Sequence, residues 1–212
     1  MTTLTKSAEG GTAGANALVA PGRIVLPKPI QRGGLPLMEA LMRRQTLREF
    51  DRKEMTEKAL SNLLWAAFGI NRPDSHKRTA PSAHDWEEID IYVAMAKGLY
   101  VYDAKGHALR QRVAQDLRAK TGTQSYVADA PVNLIYVADL SRMTQASPEE
   151  KQWYSGPDAG FIAQNVYLFC ASEGLATVVR GRVDRPLLAK AMGLGPDQQI
   201  ILAQSVGYPA AA

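Results

Sequence analysis

Cysteine is almost absent from this sequence of 212 residues, which contains only Cys170. A single cysteine excludes an intrachain disulfide and a metal cluster held by several thiolates. The apolar neighbours in "VYLFCASEG" indicate a small buried residue rather than a reactive thiol. The chain also has only three histidines, and their positions lack the spacing of metal ligands. No metal site is therefore expected.

Long apolar runs and runs of one charge sign are also missing. No stretch is long enough to span a membrane, and the early "ALVA" patch is too short for the core of a secretion signal. We therefore expect a cytoplasmic protein without membrane contact. The formal charge is +4, but the 25 basic residues are scattered among 21 acidic ones. This distribution argues against nucleic-acid binding, although a basic nucleic-acid-binding module stays open as an alternative.

Several catalytic signatures are absent as well. The sequence has no G-x-S-x-G elbow, no Walker loop, no HExxH and no CxxC. A dinucleotide-binding glycine motif lies between a first strand and a helix, whereas "GLGPD" at 193–197 follows a predicted helix late in the chain. Two features remain for a functional site: an arginine cluster in "LMRRQTLREF" at 41–50, and a polar stretch of 19 residues at 70–88.

Apolar spacing and turn residues predict a chain of mixed helices and strands without internal repeats. The segment 156–174 is apolar on nearly all sides, so a large core or a second subunit must cover it. A hairpin is predicted over 89–103, with its turn at Lys97 and Gly98. The predicted helices are 35–45, 56–69, 107–122, 156–174 and 185–194, and the other strands are 130–139, 175–181 and 199–209.

The arginine cluster places Arg43, Arg44 and Arg48 within six positions. On a continuing helix, Arg44 and Arg48 would be like-charged neighbours four residues apart. If the chain leaves the helix near Thr46, the guanidinium groups, backbone N–H groups and the threonine hydroxyl can converge on one anion. A phosphate ester suits guanidinium forks. A solvated surface is the alternative that composition alone leaves open.

Four segments, in order and at sensible spacing from about residue 36 to 209, together resemble the nitroreductase family of flavoproteins. The segment "RRQTLREF" resembles the N-terminal R-R-x-S-x-R-x-F element, and "APSAHDWE" resembles the second element, P-S-A/S-x-N-x-Q. The segment "DAGFIAQNVYLFCASEGLAT" resembles the central helix of the dimer, and "ILAQSVGYP" resembles the last core strand.

The resemblance implies an α+β fold: a three-layer α/β/α sandwich with a central, mostly antiparallel sheet, in an intertwined homodimer with FMN at the interface. Residues 34–212 would form the FMN-binding domain, and residues 1–33 a mobile N-terminal arm. Hydride would pass from NADPH or NADH through the flavin to a nitroaromatic, quinone or similar small-molecule acceptor, with ping-pong kinetics. The alternatives are other FMN reactions on this scaffold, namely enone reduction, dehalogenation or dehydrogenation, and a protein that stores or senses FMN.

The resemblance also implies which residues hold the phosphate end of FMN. These are Arg44 and Thr46, together with Arg43 or Gln45. Arg48 would reach the ribityl chain or the pyrimidine part of the flavin. No side-chain nucleophile or general base is needed, because the cofactor carries the chemistry.

Three other segments would contact the flavin. The first segment, which would come from the other subunit, consists of Pro81, Ser82, Ala83 and Asp85. The second segment consists of Val179, Arg180 and Gly181, and it would place the Gly181 backbone N–H at flavin N5. The third is the loop before the buried strand, where Gln124 would contact flavin or substrate.

The sequence departs from the family pattern at three places. Thr46 replaces the more frequent serine but keeps the hydroxyl. Asp85 and Glu87 stand where amides are usual, which exchanges donors for acceptors. The chain ends at Ala212 without the basic C-terminal stretch of many relatives, so we expect Arg43 and Arg44 to carry more of the phosphate-binding charge.

Aromatic residues on loops and helix ends are candidates for lining the acceptor site. Packing in the core is the alternative for each of them, and an exposed position without function is the alternative for the loop histidine. These candidates are Trp65, Trp86, Trp153, Tyr154, Tyr126 and His84.

Overall fold

The structure is a computed structural model that describes residues 22–211, so most of the expected N-terminal arm and the last residue lie outside the described residues. Nine strands and four α-helices follow in this part of the chain. The strands are β1 Arg23–Val25, β2 Ile70–Arg72, β3 Lys77–Arg78, β4 Ile89–Met95, β5 Gly98–Asp103, β6 Ala108–Val113, β7 Val132–Asp139, β8 Ala176–Arg180 and β9 Gln198–Gly207. The helices are α1 Leu37–Arg43, α2 Glu57–Phe68, α3 Pro148–Glu173 and α4 Arg185–Met192.

Seven strands form one sheet in the order β1-β6-β5-β4-β7-β9-β8, and β2 and β3 form a separate hairpin. Every strand pair in residues 22–211 is antiparallel. Strand β8 lies at one edge of the large sheet and pairs only with β9 there. This edge position leaves its outer backbone groups free to contact other segments.

Helices cover both faces of the sheet, because side chains of the central strands alternate between two apolar layers. Ile91 and Val93 of β4 pack in the layer that contains α2 and α3. Tyr92 and Ala94 face the other layer, where Leu188 of α4 packs. Strand β7 is buried on both faces over its first seven residues. The result is a three-layer arrangement with the sheet in the middle.

The long helix α3 begins eight residues earlier than the sequence predicts. Ser147 accepts a hydrogen bond from the Glu150 N–H, and the Glu150 side chain accepts one from the Ser147 N–H, which forms a capping box. The helix ends as expected at Gly174, whose φ of 67° is left-handed. One side of α3 packs on the sheet, while Phe161 remains 48% exposed.

The helix predicted over 107–122 is wrong, because this segment forms strand β6 and short turns. Leu109, Val113 and Leu117 are spaced by four residues, which suits a helix. A bulged strand fits these residues as well: the β5–β6 register shifts between them, so Leu109 packs in the layer of α2 and α3, and Val113 packs in the layer of α4. Pairing of β6 with both β5 and β1 decides between the two in favour of the strand.

Two further segments differ from the sequence expectation. The polar stretch 70–88 contains the β2–β3 hairpin and a 3-10 turn at Ala83–Asp85. Strand β1 pairs with β6, and Leu26 is buried in the core. The folded part of the chain therefore begins before the boundary expected at residue 34.

Candidate functional site

The arginine cluster lies where the chain leaves helix α1 and runs along the edge strand β8. The helix ends at Arg43, and Arg44 already has extended backbone angles, with φ −57° and ψ 120°. The Leu47 N–H then donates to the Thr177 carbonyl of β8 at 3.0 Å. Phe50 is buried and bridges to Pro209. The chain thus leaves the helix before Thr46, as the anion hypothesis requires.

The side chains of Arg44 and Thr46 both lie against Tyr167 of α3, so they share one side of this segment. Leu47, on the other side, packs in a small apolar cluster with Phe50. Among residues 22–211, neither Arg44 nor Arg48 forms an ion pair. Their charges are therefore available to a ligand.

Tyr167 of α3 joins the arginine segment to the end of β8. Its hydroxyl oxygen accepts a hydrogen bond from the Val179 N–H at 3.0 Å and lies 3.1 Å from Thr46 Oγ1. The Arg44 guanidinium lies 5.4 Å from the centre of its ring, a cation–π distance. In the sequence, Tyr167 stands among the apolar residues of the segment 156–174, which hides its role. Its phenol was the available signal, since a buried tyrosine hydroxyl usually has a partner.

A cavity of about 490 Å³ lies beside this segment, on the side of Arg43 and Gln45. Arg44 and Tyr167 also line it, together with Pro209. Arg43 forms an ion pair with Glu39, one helical turn back. Arg43 and Gln45 thus border the site, while the Arg44 and Thr46 side chains contact Tyr167.

The Arg180 side chain is held in the interior, where only 3% of the residue is exposed. It donates to the Thr121 carbonyl at 2.7 Å, to Thr121 Oγ1 at 3.2 Å and to Asn133 Oδ1 at 2.8 Å. Burial lowers the pKa of Arg180 to about 10, so the group stays charged at neutral pH. Because its side chain is engaged in the interior, Arg180 can contribute to a ligand site only through its backbone, which precedes Gly181.

Gln124 lies in the same corner of the molecule as Arg180. A side chain on Gly122 would collide with the Arg180 guanidinium and would approach Gln124 Oε1 to 2.6 Å, so all three groups are close together. Gln124 Oε1 is buried without a hydrogen-bond partner in the part of the chain that is described. It is an unsatisfied acceptor close to the backbone that leads to Gly181.

The second element, 81–85, is held by carboxylates. The Ala83 N–H donates to Asp158 Oδ2 of α3 at 2.8 Å, and Asp85 pairs with Lys77 at 2.5 Å. Ser82 Oγ accepts from the Glu87 N–H at 2.9 Å. Within residues 22–211, no hydrogen bond or ion pair joins 81–85 to the arginine segment of the same chain. The expected contact of this element with a flavin in another subunit remains a prediction.

The backbone of this loop is unusual. His84, Asp85 and Glu87 have positive φ values of 48°, 61° and 46°. Residues other than glycine rarely adopt this left-handed region, and they persist there only where surrounding contacts hold them. The ion pair of Arg78 with Glu87 at 2.8 Å supplies one such contact.

Two buried carboxyl groups meet beneath the loop. Glu88 is fully buried, and Ser82 Oγ donates to its Oε2 at 3.3 Å, while Glu88 Oε1 has no hydrogen-bond partner among the described residues. Burial raises the pKa of Glu88, and the nearby charge of Asp158 raises it further. Burial and this neighbouring charge therefore both favour the protonated, uncharged form of Glu88.

We expect Glu88→Gln to stabilise the protein at neutral pH by about 1 kcal/mol, because a neutral amide avoids burying a negative charge near Asp158. The folded state holds the Glu88 proton to higher pH than the unfolded state, so the wild type loses stability as pH rises above about 4.5. Melting temperatures from pH 4 to 8 should therefore diverge, with the variant increasingly favoured as pH rises. The exposed Glu54→Gln is the control, and parallel curves for Glu88→Gln and the wild type would contradict the raised pKa of Glu88.

The aromatic candidates for an acceptor site divide into two groups. His84 stacks on Trp86 at 4.6 Å, Trp86 meets Tyr154 at 5.7 Å, and Tyr154 meets Trp153 at 5.0 Å. Trp153 is 68% exposed, so this cluster presents an aromatic surface next to the 81–85 element. The other two candidates have packing partners: Trp65 donates to the Ile70 carbonyl, and Tyr126 packs on Phe50.

The comparison with known families decides the class of this protein. The model of the nitroreductase family matches residues 41–208, which begin within α1 and end after β9. The chain belongs to the nitroreductase family. The expected family and its α+β sandwich with an antiparallel sheet are thereby confirmed.

Individual relatives agree with this assignment. A solved structure from Ralstonia eutropha JMP134, assigned as a nitroreductase, is 45% identical, with a TM-score of 0.86 over 90% of each chain. A protein of Methanocaldococcus jannaschii, also assigned as a nitroreductase, is 32% identical over 69% of this chain and 79% of its own. The NADPH:FMN oxidoreductase of Vibrio harveyi, solved with NAD+, shares the fold. It is 21% identical, with a TM-score of 0.62 over 82% of this chain and 69% of its own.

Two kinds of site are not found in the described part of this nitroreductase-family chain. No helix there is long and apolar enough to cross a membrane. No group of three or more His, Cys, Asp or Glu side chains there is arranged to hold a metal ion.

Proposed function

We propose that this protein is an FMN-dependent oxidoreductase that takes hydride from NADPH or NADH and reduces nitroaromatic, quinone or similar small acceptors by a ping-pong reaction. The observation that carries the proposal is the meeting of Arg44, Thr46 and the Val179 backbone around Tyr167. Family membership supports a flavin-dependent oxidoreductase in general. The name of the Vibrio harveyi relative supports FMN and a nicotinamide in particular.

The donor set of this site fits the phosphate of FMN. The Arg44 guanidinium, which has no ion-pair partner in residues 22–211, and the Thr46 hydroxyl lie together against Tyr167. Phosphate oxygens accept hydrogen bonds and carry charge, so Arg44 and Thr46 would bind that end. When bound, FMN supplies the transfer of two electrons between nicotinamide and acceptor. Arg48 is the cation available to balance negative charge on a reduced flavin ring.

We also propose that the protein acts as a homodimer with FMN at the interface. Helix α1 exposes a face of large apolar residues, and the exposed Phe161 lies on α3, which α1 contacts. Apolar side chains this exposed in a folded protein often mark an interface. The face of α1 consists of Leu37, Met38, Leu41 and Met42. In such a dimer, Pro81, Ser82, Ala83 and Asp85 would reach the partner's flavin, and the aromatic cluster of His84, Trp86, Trp153 and Tyr154 would lie beside the acceptor.

The test of the proposed function is the visible spectrum of the purified protein before and after anaerobic addition of NADPH or NADH. We expect a yellow protein that is bleached by a nicotinamide and regains its colour with a nitroaromatic or a quinone. A colourless protein that does not take up added FMN would contradict the flavin proposal. A yellow protein bleached by neither nicotinamide would instead favour storage or sensing of FMN.

The expected cytoplasmic location stays a prediction.

The oligomeric state has its own measurement. Size-exclusion chromatography with light scattering should give twice the mass of the 23.1 kDa chain. A stable monomer that retains FMN would contradict a site shared between two subunits.

We expect Gly181→Ala to weaken FMN binding and lower turnover while leaving the melting temperature unchanged. A Cβ on Gly181 meets no atom of the described chain within 4 Å, and its backbone is not in the left-handed region, so the methyl group costs the fold little. If a flavin ring lies against this backbone, the added methyl group collides with it. A loss of roughly tenfold or more in FMN affinity is expected for such a clash.

Gly195→Ala is the matched control, since this glycine lies in an exposed turn where a Cβ is also tolerated. FMN titration and thermal melting of both variants make the comparison. Equal FMN affinity in Gly181→Ala and the wild type would show that no flavin lies on this backbone.

A further inference from the structure

Tyr167 occupies the centre of the candidate site without a part in the reaction. The residue is 8% exposed, and two groups lie within hydrogen-bond distance of its hydroxyl oxygen. One is the Val179 N–H at 3.0 Å, on the free edge of β8, and the other is Thr46 Oγ1 at 3.1 Å. The hydroxyl therefore joins the strand end to the arginine segment.

The chemistry of these groups fixes the direction of the hydrogen bonds. A backbone N–H can only donate, so the Val179 N–H occupies an acceptor position of the Tyr167 oxygen. If Thr46 also donated to Tyr167, the tyrosine hydrogen would have no acceptor among residues 22–211, which is unfavourable for a buried hydroxyl. The opposite direction pairs both the oxygen and the hydrogen of the Tyr167 hydroxyl: Val179 donates to Tyr167, and Tyr167 donates to Thr46.

This direction makes Thr46 a donor towards ligands. Because its oxygen accepts from Tyr167, the hydrogen of the Thr46 hydroxyl is available to an acceptor from outside the chain. Phosphate oxygens are acceptors only and form strong bonds with such donors. The Arg44 guanidinium shares this side of the segment and lies over the same tyrosine ring. Charge and oriented hydroxyl are thus presented together.

We propose that Tyr167 is a positioning residue that orients the Thr46 hydroxyl towards the flavin phosphate and so makes this protein select FMN over riboflavin, which lacks the phosphate. The inference rests on the proposed function, because it assumes a flavin at this site. It adds a specific origin for the preference between the two flavins. Tyr167 does not contact the reacting atoms in this account, and it acts through Thr46.

The test measures the ratio of the dissociation constants of riboflavin and FMN in the full-length protein after removal of bound flavin. Tyr167→Phe removes only the hydroxyl. We expect it to lower this ratio roughly three- to tenfold, the effect of weakening one charge-assisted hydrogen bond, while riboflavin affinity stays within about twofold. Tyr100→Phe is the matched control, because it removes the hydroxyl of a buried tyrosine on strand β5 that donates to the Lys97 carbonyl in the preceding turn. The control should keep the wild-type ratio.

Substitutions of Thr46 test the same relay with Tyr167 in place. Thr46→Ser should keep the ratio, whereas Thr46→Val should lower it at least as much as Tyr167→Phe. The double variant Thr46→Val with Tyr167→Phe should have the same ratio as Thr46→Val alone, because both changes remove the same hydrogen-bond relay. Additive losses, or a Thr46→Val variant that keeps the ratio, would overturn the relay even if Tyr167→Phe did not fold.

The outcomes also separate this inference from the proposed function. Equal loss of both flavins in Tyr167→Phe would mean that Tyr167 acts only on the structure. A wild type that prefers FMN, with an unchanged ratio in Tyr167→Phe, would overturn the inference alone. A wild type that binds no flavin, or shows no preference for FMN, would overturn the phosphate site and with it the proposed function.

Discussion

Arg44→Ala should weaken FMN binding by roughly ten- to a hundredfold, the range expected when a charged hydrogen-bond partner of a phosphate is removed. The Arg44 guanidinium has no ion-pair partner in residues 22–211, so the free protein does not already compensate its charge. In the described structure its contact is the Tyr167 ring at 5.4 Å. Loss of that contact costs about 0.5–1 kcal/mol of stability, which leaves the fold intact.

Titration of the flavin-free protein with FMN and with riboflavin makes this measurement. The riboflavin affinity should change little, because riboflavin has no phosphate for Arg44 to bind. Arg52→Ala is the control: this exposed arginine is on the same connecting segment but pairs with Asp129 at 2.7 Å. Unchanged FMN affinity in Arg44→Ala would remove the phosphate role of this residue.

Asn133→Leu should be the most destabilising of the substitutions considered, at about 3 kcal/mol or more. Asn133 Oδ1 accepts from the buried Arg180 guanidinium at 2.8 Å and from Ser205 Oγ at 2.6 Å, and its amide donates to the Val127 carbonyl. In residues 22–211, no carboxylate pairs with Arg180. The leucine would leave a buried positive charge without one of its few acceptors.

Thermal melting and urea unfolding measure this effect, and a drop of about 6–12 °C in the melting temperature is expected for a loss of about 3 kcal/mol in a chain of this size. The double variant Asn133→Leu with Arg180→Met should recover part of the lost stability, because it removes the charge as well as its acceptor. If the two groups acted independently, the loss of unfolding free energy in the double variant would equal the sum of the losses in Asn133→Leu and Arg180→Met.

Much of the fold could be predicted from the sequence where local and global signals agree. Thr56 and Gly69 bound helix α2 as expected, and the Lys97–Gly98 turn joins β4 and β5. The helix predicted at 107–122 is wrong because the helix-like spacing of its apolar residues comes from a bulged strand, whose pairing with β1 and β5 is not visible in the local sequence. Strand β1 was missed since three residues carry too little pattern to be found without their partner.

The site was predicted in part. The anion hypothesis for Arg44 and Thr46 depended on the chain leaving its helix, and the structure has that exit. The side chain of Arg180 could not be assigned from sequence, since a strand residue points to either face depending on register. Tyr167 was hidden by its apolar neighbours, because its role comes from contacts with segments 121 and 12 residues away.

The edge of strand β8 has a consequence for solubility. An exposed strand edge offers unpaired backbone groups to other chains and promotes aggregation. Here the Leu47 N–H donates to the Thr177 carbonyl, and the Tyr167 hydroxyl oxygen accepts from the Val179 N–H. The arginine segment and α3 therefore cover this edge. The same contacts that shape the candidate phosphate site therefore also block sheet extension between molecules. A ligand that fixes the arginine segment against β8 would therefore also protect the protein from aggregation through this strand edge.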